Sequence, residues 1–470
     1  MSDELPPPTP ALFPGRTERA RLDDFLTREL PLANTRIAQG SVVPTFDVVA
    51  FQRDLAAFDF RTPQPLEELL AWSIAQLEHG IVHMTHPRYF GLFNPAPTFP
   101  AECADRIAGA FNPQLATWTT APAAVEIEAH VVKALARRAG LPEEATGHCT
   151  SGGSEANCTA LLCALTRAEP RFATEGARAF SGAPVFYISQ DSHLAWLKIA
   201  HQTGIGRAAA RLIATDGHGR VDASALEAAI REDRARGAVP VMIVATAGTT
   251  NAGMIDPLLR CAEIARDNAL WYHVDAAWGG ALLASVRLRG ALQGIELADS
   301  ITIDAHKWFA TTMGCGMFIT RHATLPSSVF HVATSFMPSN LTHVDPYVTT
   351  AQWSRRFLGL RLFLALAAAG WQGYAEHVER AIKLMAMLKE ELEERGWSIA
   401  NDSPLALLCV DARPEYGEIR PLVSRIVASG RAWVAAAKYE GRDVIRVCLT
   451  HGEATRADIL EFARALSDAR

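Results

Sequence analysis

The sequence lacks the features that would mark it as a membrane, secreted or nucleic-acid-binding protein. Its longest apolar stretch, Leu362 to Trp371, falls well short of the ~20 residues a bilayer-spanning helix requires, so no transmembrane segment is expected. Runs of Lys and Arg are missing, and 45 basic residues against 51 acidic ones leave a net charge of −6. A mildly acidic chain of this kind offers no field to attract nucleic acid or an anionic membrane, which leaves small molecules as the expected ligands. The eight cysteines (103, 149, 158, 163, 261, 315, 409 and 448) include no CxxC pair. Reduced thiols used as small core residues are therefore expected, with neither a disulfide framework nor a zinc site. MSDELPPPTPALFPGR has no basic and apolar leader pattern, so the expected compartment is the cytoplasm. Internal repeats and low-complexity segments are absent too.

What is present is a 470-residue chain, 49% hydrophobic and 20% charged, long enough for about three folding units. Residues 1–85 read as a Pro-rich lead and a helical arm, with helices near Thr17–Leu30 and Leu66–His79. From 86 to 370, short β-branched runs alternate with helical segments. Strands are expected at Val185–Ser189, Val239–Thr246, Trp271–Asp275, Ser300–Ile303 and Gly316–Thr320. Helices are expected at Glu155–Ala168, Ala223–Arg236, Pro257–Ala269 and Ser354–Ala369. This alternation predicts an α/β domain with a mainly parallel sheet flanked by helices, and ligands at the strand ends. Residues 371–470 read as a small α+β domain.

Four segments place polar residues where a strand ends or a helix begins. Thr150 to Asn157, TSGGSEAN, is a Gly-rich turn opening a helix, suited either to binding a phosphate or simply to capping the helix. WYHVDAAWGG ends a strand on Asp275, an acid that needs a cationic or hydrogen-bonding partner there, for a ligand or as a structural ion pair. SITIDAHKW puts Lys307 at the mouth of the sheet, a candidate Schiff-base amine. Gln190-Asp191-Ser192-His193 again follows a strand, and a single histidine there is either structural or catalytic. The GxGxxA match at Gly204 to Ala209 lies between a helix-like and a strand-like segment, which reverses the order dinucleotide binding needs.

Together, SGGSEAN, SHLAW, GTTNAGMIDP, WYHVDAAWGG, ELADSITIDAHKW and VIRVCLTH resemble the group II pyridoxal-phosphate-dependent amino-acid decarboxylases, in the family's order from about His86 onward. The resemblance implies a type I, aspartate aminotransferase-like fold, pyridoxal 5'-phosphate as cofactor, an amino-acid substrate and a homodimer with an interface active site. It makes Lys307 the lysine that holds the cofactor and Asp275 the partner of the pyridine nitrogen. His193 and Ala277 then cover the two faces of the ring, and Gly152, Gly153 and Ser154 form the phosphate turn. Thr250 contacts the cofactor, and His306 reaches both phosphate and substrate. Tyr347, in the loop Pro338 to Arg355, is the general acid the family places on a mobile loop; an ordinary loop tyrosine is the other reading.

Two departures from the family bear on substrate. Many aromatic-specific members have Asn where Asp304 stands; an acid beside a phosphate needs a donor or a proton, so Asp304 is expected to face away. Leu92, Leu115 and Ala116 stand where animal aromatic decarboxylases have aromatics or glycine, which implies a mainly apolar pocket of a different shape. The expected reaction is α-decarboxylation of an aromatic or otherwise apolar L-amino acid to the amine. The alternatives are an acidic substrate, an aromatic aldehyde synthase, or a catalytically silent cofactor-binding homologue; a carbon–carbon lyase of the sphingosine-phosphate type fits less well, since it lacks His-Lys-Trp.

Overall fold

The computed structural model describes residues 9–334, 343–412 and 416–470. An N-terminal arm of three helices, α1 (Arg16–Gln39), α2 (Val48–Ala56) and α3 (Leu66–Gly80), leads into α4 (Phe99–Phe111) and α5 (Pro122–Arg138). Arg36 pairs with Glu78 at 2.5 Å and Arg21 with Glu67, which holds α1 along α3. The arm's Val42 donates its N–H to the Gly430 carbonyl near the C-terminal end of the chain.

The alternating segments form a seven-stranded sheet: β1 (Thr146–Thr150), β2 (Pro184–Ser189), β3 (Ala210–Ile213), β4 (Val239–Thr246), β5 (Trp271–Asp275), β6 (Ser300–Asp304) and β7 (Gly316–Thr320). The order is β1-β7-β6-β5-β4-β2-β3, with only β7 antiparallel to its neighbours. The helices that cover it are α6 (Gly153–Ala168), α7 (Phe172–Glu175), α8 (Ala195–Gln202), α9 (Ala223–Ala235), α10 (Leu258–Asp267) and α11 (Leu325–Phe330). β2, β5, β6 and β7 are buried at every position, which explains the largely apolar or β-branched runs of β2 and β7, while β5 and β6 bury the polar His273, Asp275, Ser300 and Asp304. Gly204–Ala209 lies between α8 and β3, in helix-turn-strand order.

α12 (Gly359–Glu394) bends at Gly370, whose φ of 63° and ψ of 177° interrupt it next to Ala369, where the sequence ends its expected helix. Its first part ends the large-sheet region and its second begins the C-terminal one. There β8 (Ser398–Ile399), β9 (Leu407–Asp411), β10 (Ala435–Tyr439) and β11 (Arg442–Cys448) form a four-stranded antiparallel sheet, with α13 (Ile419–Ala428) and α14 (Arg456–Asp468). Phe90 joins the parts: its N–H bonds to the Trp433 carbonyl and its carbonyl to Cys448 N–H. Among the described residues no helix is long and apolar enough to cross a membrane.

Candidate active site

Because β1, β2, β4, β5 and β6 run in one direction, Thr150, Ser189, Thr246, Asp275 and Asp304 end at the same edge of the sheet. The loops beyond that edge close around a cavity of about 320 Å³. Gly152, Gly153, Ser154, His193, Thr250, Asp275, Ala277, His306 and Lys307 all line it. The structure thus brings together nine of the ten residues to which the resemblance gives a catalytic or cofactor-binding role. Tyr347 is the tenth; it lies in a 3₁₀ turn, Pro346–Val348, packs its ring on Trp353 at 4.8 Å and is not among the residues lining this cavity.

At one end of the cavity, α6 begins at Gly153 with no side-chain cap among the described residues and presents its first N–H groups and the positive end of its dipole. Ser151 is held there by Glu155, which accepts from both its N–H and its hydroxyl at 2.8 and 2.7 Å. At the other end lies Asp275, buried, accepting from Asn157 Nδ2 at 2.8 Å and from Ala277 N–H at 3.2 Å. Both donors are neutral, and no ion pair to Asp275 exists among the described residues. A buried carboxylate in that state favours a cationic N–H as its next partner.

Lys307 follows β6 by a tight turn, its N–H bonding to the Asp304 carbonyl at 3.1 Å. Its Nζ stands 3.0 Å from Asp304 Oδ2 and 5.6 Å from the Phe93 ring centre. Asp304 therefore faces into the cavity, contrary to the sequence expectation. Room for its carboxylate comes from two glycines: a Cβ on Gly153 would lie 2.8 Å from Oδ2, and one on Gly316 would lie 2.7 Å from Oδ1. The lysine amine and the start of α6 supply the favourable charge, while Oδ1 has no hydrogen-bond partner among the described residues. The segment after Lys307 is clamped from α12, by Tyr374 hydroxyl on the Phe309 carbonyl and by Arg361 on the Met313 carbonyl.

His306 is buried, and its Nδ1 lies 3.1 Å from the Cys315 carbonyl; burial lowers its pKa, Asp304 opposes that, and Lys307 adds to it. His193 accepts from Ala195 N–H through Nδ1 at 3.1 Å. Its pKa is lowered, first by desolvation, against the pull of Asp275. Both imidazoles are thereby biased toward the neutral form.

Phe93, Trp278 and Met313 give the cavity its apolar wall. Phe93 stacks on Trp278 at 4.3 Å, and Trp278 on Trp308 at 5.0 Å. Arg446 lies over the Phe93 ring at 4.5 Å; it is buried and donates to the carbonyls of Gly91 and Thr250, and its Nη2 is unpaired among the described residues. Leu92, Leu115 and Ala116, expected to shape the pocket, are not lining residues. Leu92 points to solvent, and Leu115 packs against Ala121 and Ala124.

The sequence reading passed over Phe93, Met313, Thr246 and, above all, the bond from Asn157 to Asp275. Asn157 carried a signal: four residues after Gly153, it occupies the same helix face as the start of the Gly-rich turn.

Residues 55–412 match the pyridoxal-dependent decarboxylase conserved domain. The chain is 28% identical over 410 residues to an aromatic-L-amino-acid decarboxylase of Bacillus atrophaeus, covering 84% of each chain. It is 31% identical over 389 residues to an L-2,4-diaminobutyrate decarboxylase of Rhizobium meliloti (strain 1021), covering 81% of this chain and 77% of that one. A crystal structure of mouse CSAD in apo form superposes with a TM-score of 0.90 at 25% identity, covering 98% of this chain and 99% of that one. With this site and this match, the chain belongs to the pyridoxal-dependent decarboxylases, carboxy-lyases of amino acids whose cofactor is pyridoxal 5'-phosphate.

Proposed function

We propose that the protein removes the α-carboxyl group of an L-amino acid with an aromatic or otherwise apolar side chain, yielding the amine and carbon dioxide, and that it works as a homodimer. The observation that carries this reading is the meeting of an amine, Lys307, with a buried carboxylate lacking a cation, Asp275, in one cavity that also holds an anion-binding turn. These residues fit the cofactor. Gly152, Gly153 and Ser154, with His306, would hold its phosphate; Asp275 would hold the proton on its ring nitrogen; His193 and Ala277 would cover the ring faces, and Thr250 would touch its edge. When bound, pyridoxal phosphate supplies an electron sink for the pair left behind as the carboxyl group departs.

The chain's own groups do the rest. Lys307 Nζ would be the amine that holds the cofactor until the substrate amine takes its place. The cavity walls would orient the substrate, and the bond from Cα that they align with the cofactor's electron sink would be the one selected for cleavage. Tyr347 carries the proton that is delivered to Cα once carbon dioxide has left, so the amine is the product instead of an aldehyde. Phe93, Trp278 and Met313 favour an apolar substrate side chain. A second reading, a substrate with an acidic side chain, is favoured by Arg446, a buried guanidinium next to Phe93 that no carboxylate neutralises among the described residues.

The test is carbon dioxide release across the protein amino acids and L-2,4-diaminobutyrate, with product identification. Release from aromatic or aliphatic substrates supports the first reading and release from glutamate or aspartate the second. If none reacts while the cofactor is bound, the protein is a silent homologue. Lys307→Ala serves as the control: it should abolish turnover and the visible band that borohydride removes in the unmodified protein.

A further inference from the structure

Asp275 is the end of a longer buried chain of polar groups. Asn157 donates Nδ2–H to Asp275 Oδ2 at 2.8 Å, and its Oδ1 lies 3.1 Å from His273 Nε2. His273 Nδ1 lies 2.7 Å from Ser300 Oγ, and Ser300 Oγ lies 2.9 Å from Trp271 Nε1. All five side chains are buried.

The donor and acceptor roles follow one from another. A carboxylate only accepts, so the Asn157 amide must turn its NH₂ toward Asp275 and its oxygen toward His273. That oxygen only accepts, so His273 Nε2 carries the ring hydrogen, and Nδ1 is then an acceptor for the Ser300 hydroxyl. Ser300 in turn accepts from the indole N–H of Trp271, which can only donate. Each hydrogen points along the chain toward Asp275, an arrangement in which the bonds polarise one another and favour negative charge at the end. Burial holds His273 neutral, with its pKa pushed down to about 4.

We propose that His273 and Asn157 are positioning residues that keep Asp275 an oriented anion for the ring nitrogen of the cofactor. This rests on the proposed pairing of Asp275 with that nitrogen. Trp271 and Ser300 anchor the outer end of the chain, while Asn157, from α6, ties the carboxylate to the helix that begins at the phosphate turn.

The test compares binding of pyridoxal phosphate with binding of its 1-deaza analogue, in which the ring nitrogen is replaced by C–H. The unmodified protein should prefer pyridoxal phosphate. Asn157→Leu keeps the shape but removes the donor, and should cut that preference about tenfold, the worth of one hydrogen bond to a charged group. His273→Phe should cut it in the same direction, and His273→Gln, which restores an N–H, should recover part of it. If Asp275→Asn loses the preference while Asn157→Leu and His273→Phe retain it, the chain is structural only and the proposal falls. If Asp275→Asn itself retains the preference, the ring-nitrogen pairing is wrong and the proposal falls with it. Nitrogen-15 shifts of His273 in the unmodified, cofactor-free protein give a second reading independent of folding defects: a neutral ring with hydrogen on Nε2 is expected, and hydrogen on Nδ1 or on both nitrogens overturns the chain.

Discussion

Asp304 shows how a single buried residue can decide what a site binds. Its carboxylate occupies the gap left by Gly153 and Gly316, close to the start of α6, where the phosphate of the cofactor is proposed to lie. Within the protein, two anions at such range repel by a few kcal/mol at an effective dielectric near 20. Lys307, 3.0 Å away, offsets this only while its amine is charged and undisplaced. Asp304→Asn should therefore bind both pyridoxal phosphate and inorganic phosphate about tenfold more tightly, measured by fluorescence titration of the cofactor-free protein. Unchanged affinity for both ligands would mean that the Asp304 side chain lies outside the phosphate's reach. The sequence shows the acid but hides its orientation, because two distant glycines and a lysine amine together decide where it points. Lys307 and Asp275 are legible for the opposite reason: Asp275 ends β5 and Lys307 follows the end of β6 by a tight turn, so the direction of the parallel strands carries both to the cavity.

At the scale of elements, the central strands are legible wherever burial on both faces forces a continuous apolar run, as in Val239–Thr246 and Gly316–Thr320. β1, with the sequence TGHCT, escapes because its strand character comes from pairing with β7, register Thr146 to Thr320. β10, AAAKY, escapes likewise: a two-residue turn at Glu440 and Gly441, with φ of 48° and 77°, pairs it with β11. Gly370 makes a prediction of its own. Its backbone lies where only glycine is comfortable, yet a Cβ there would meet nothing within 4 Å. Gly370→Ala should thus cost about 1–3 kcal/mol of stability through conformation alone, leaving the cofactor spectrum intact. Asp256 ties the end of β4 to the strand-like turn at Val221, accepting from Thr246 and Val221 N–H at 2.7 and 2.8 Å. Burial raises its pKa from 3.8 to about 7. Between these values the folded protein holds a proton that the unfolded chain has lost, so stability falls as pH rises from about 4 to about 7 and levels off above. The Tm of the unmodified protein minus that of Asp256→Asn should follow this course; a flat difference would show that the carboxylate is ionised throughout.

For the whole molecule, the position of Tyr347 and the apolar surface lead to the same conclusion. Tyr347 does not line the cavity of its own chain, and its N–H is held by the Ala116 carbonyl. Phe111 is 82% exposed and borders a groove with Ile107, Pro113, Ala123 and Phe357. Large apolar side chains gathered at this edge are expected to be covered by another protein surface. A second copy of the chain fits the proposed homodimer, with Tyr347 of each chain serving the cavity of its partner. Mass measurement should then give twice 51.0 kDa, and Phe111→Asp should shift it toward the monomer. Co-expression separates the two arrangements. A hybrid of one Lys307→Ala chain and one Tyr347→Phe chain contains a single site with both residues intact only if Tyr347 crosses the interface. In that case amine formation should return to about half the activity of the unmodified dimer, although each variant alone lacks it. If Tyr347 serves its own chain, the hybrid has no intact site, and its product should match that of Tyr347→Phe alone.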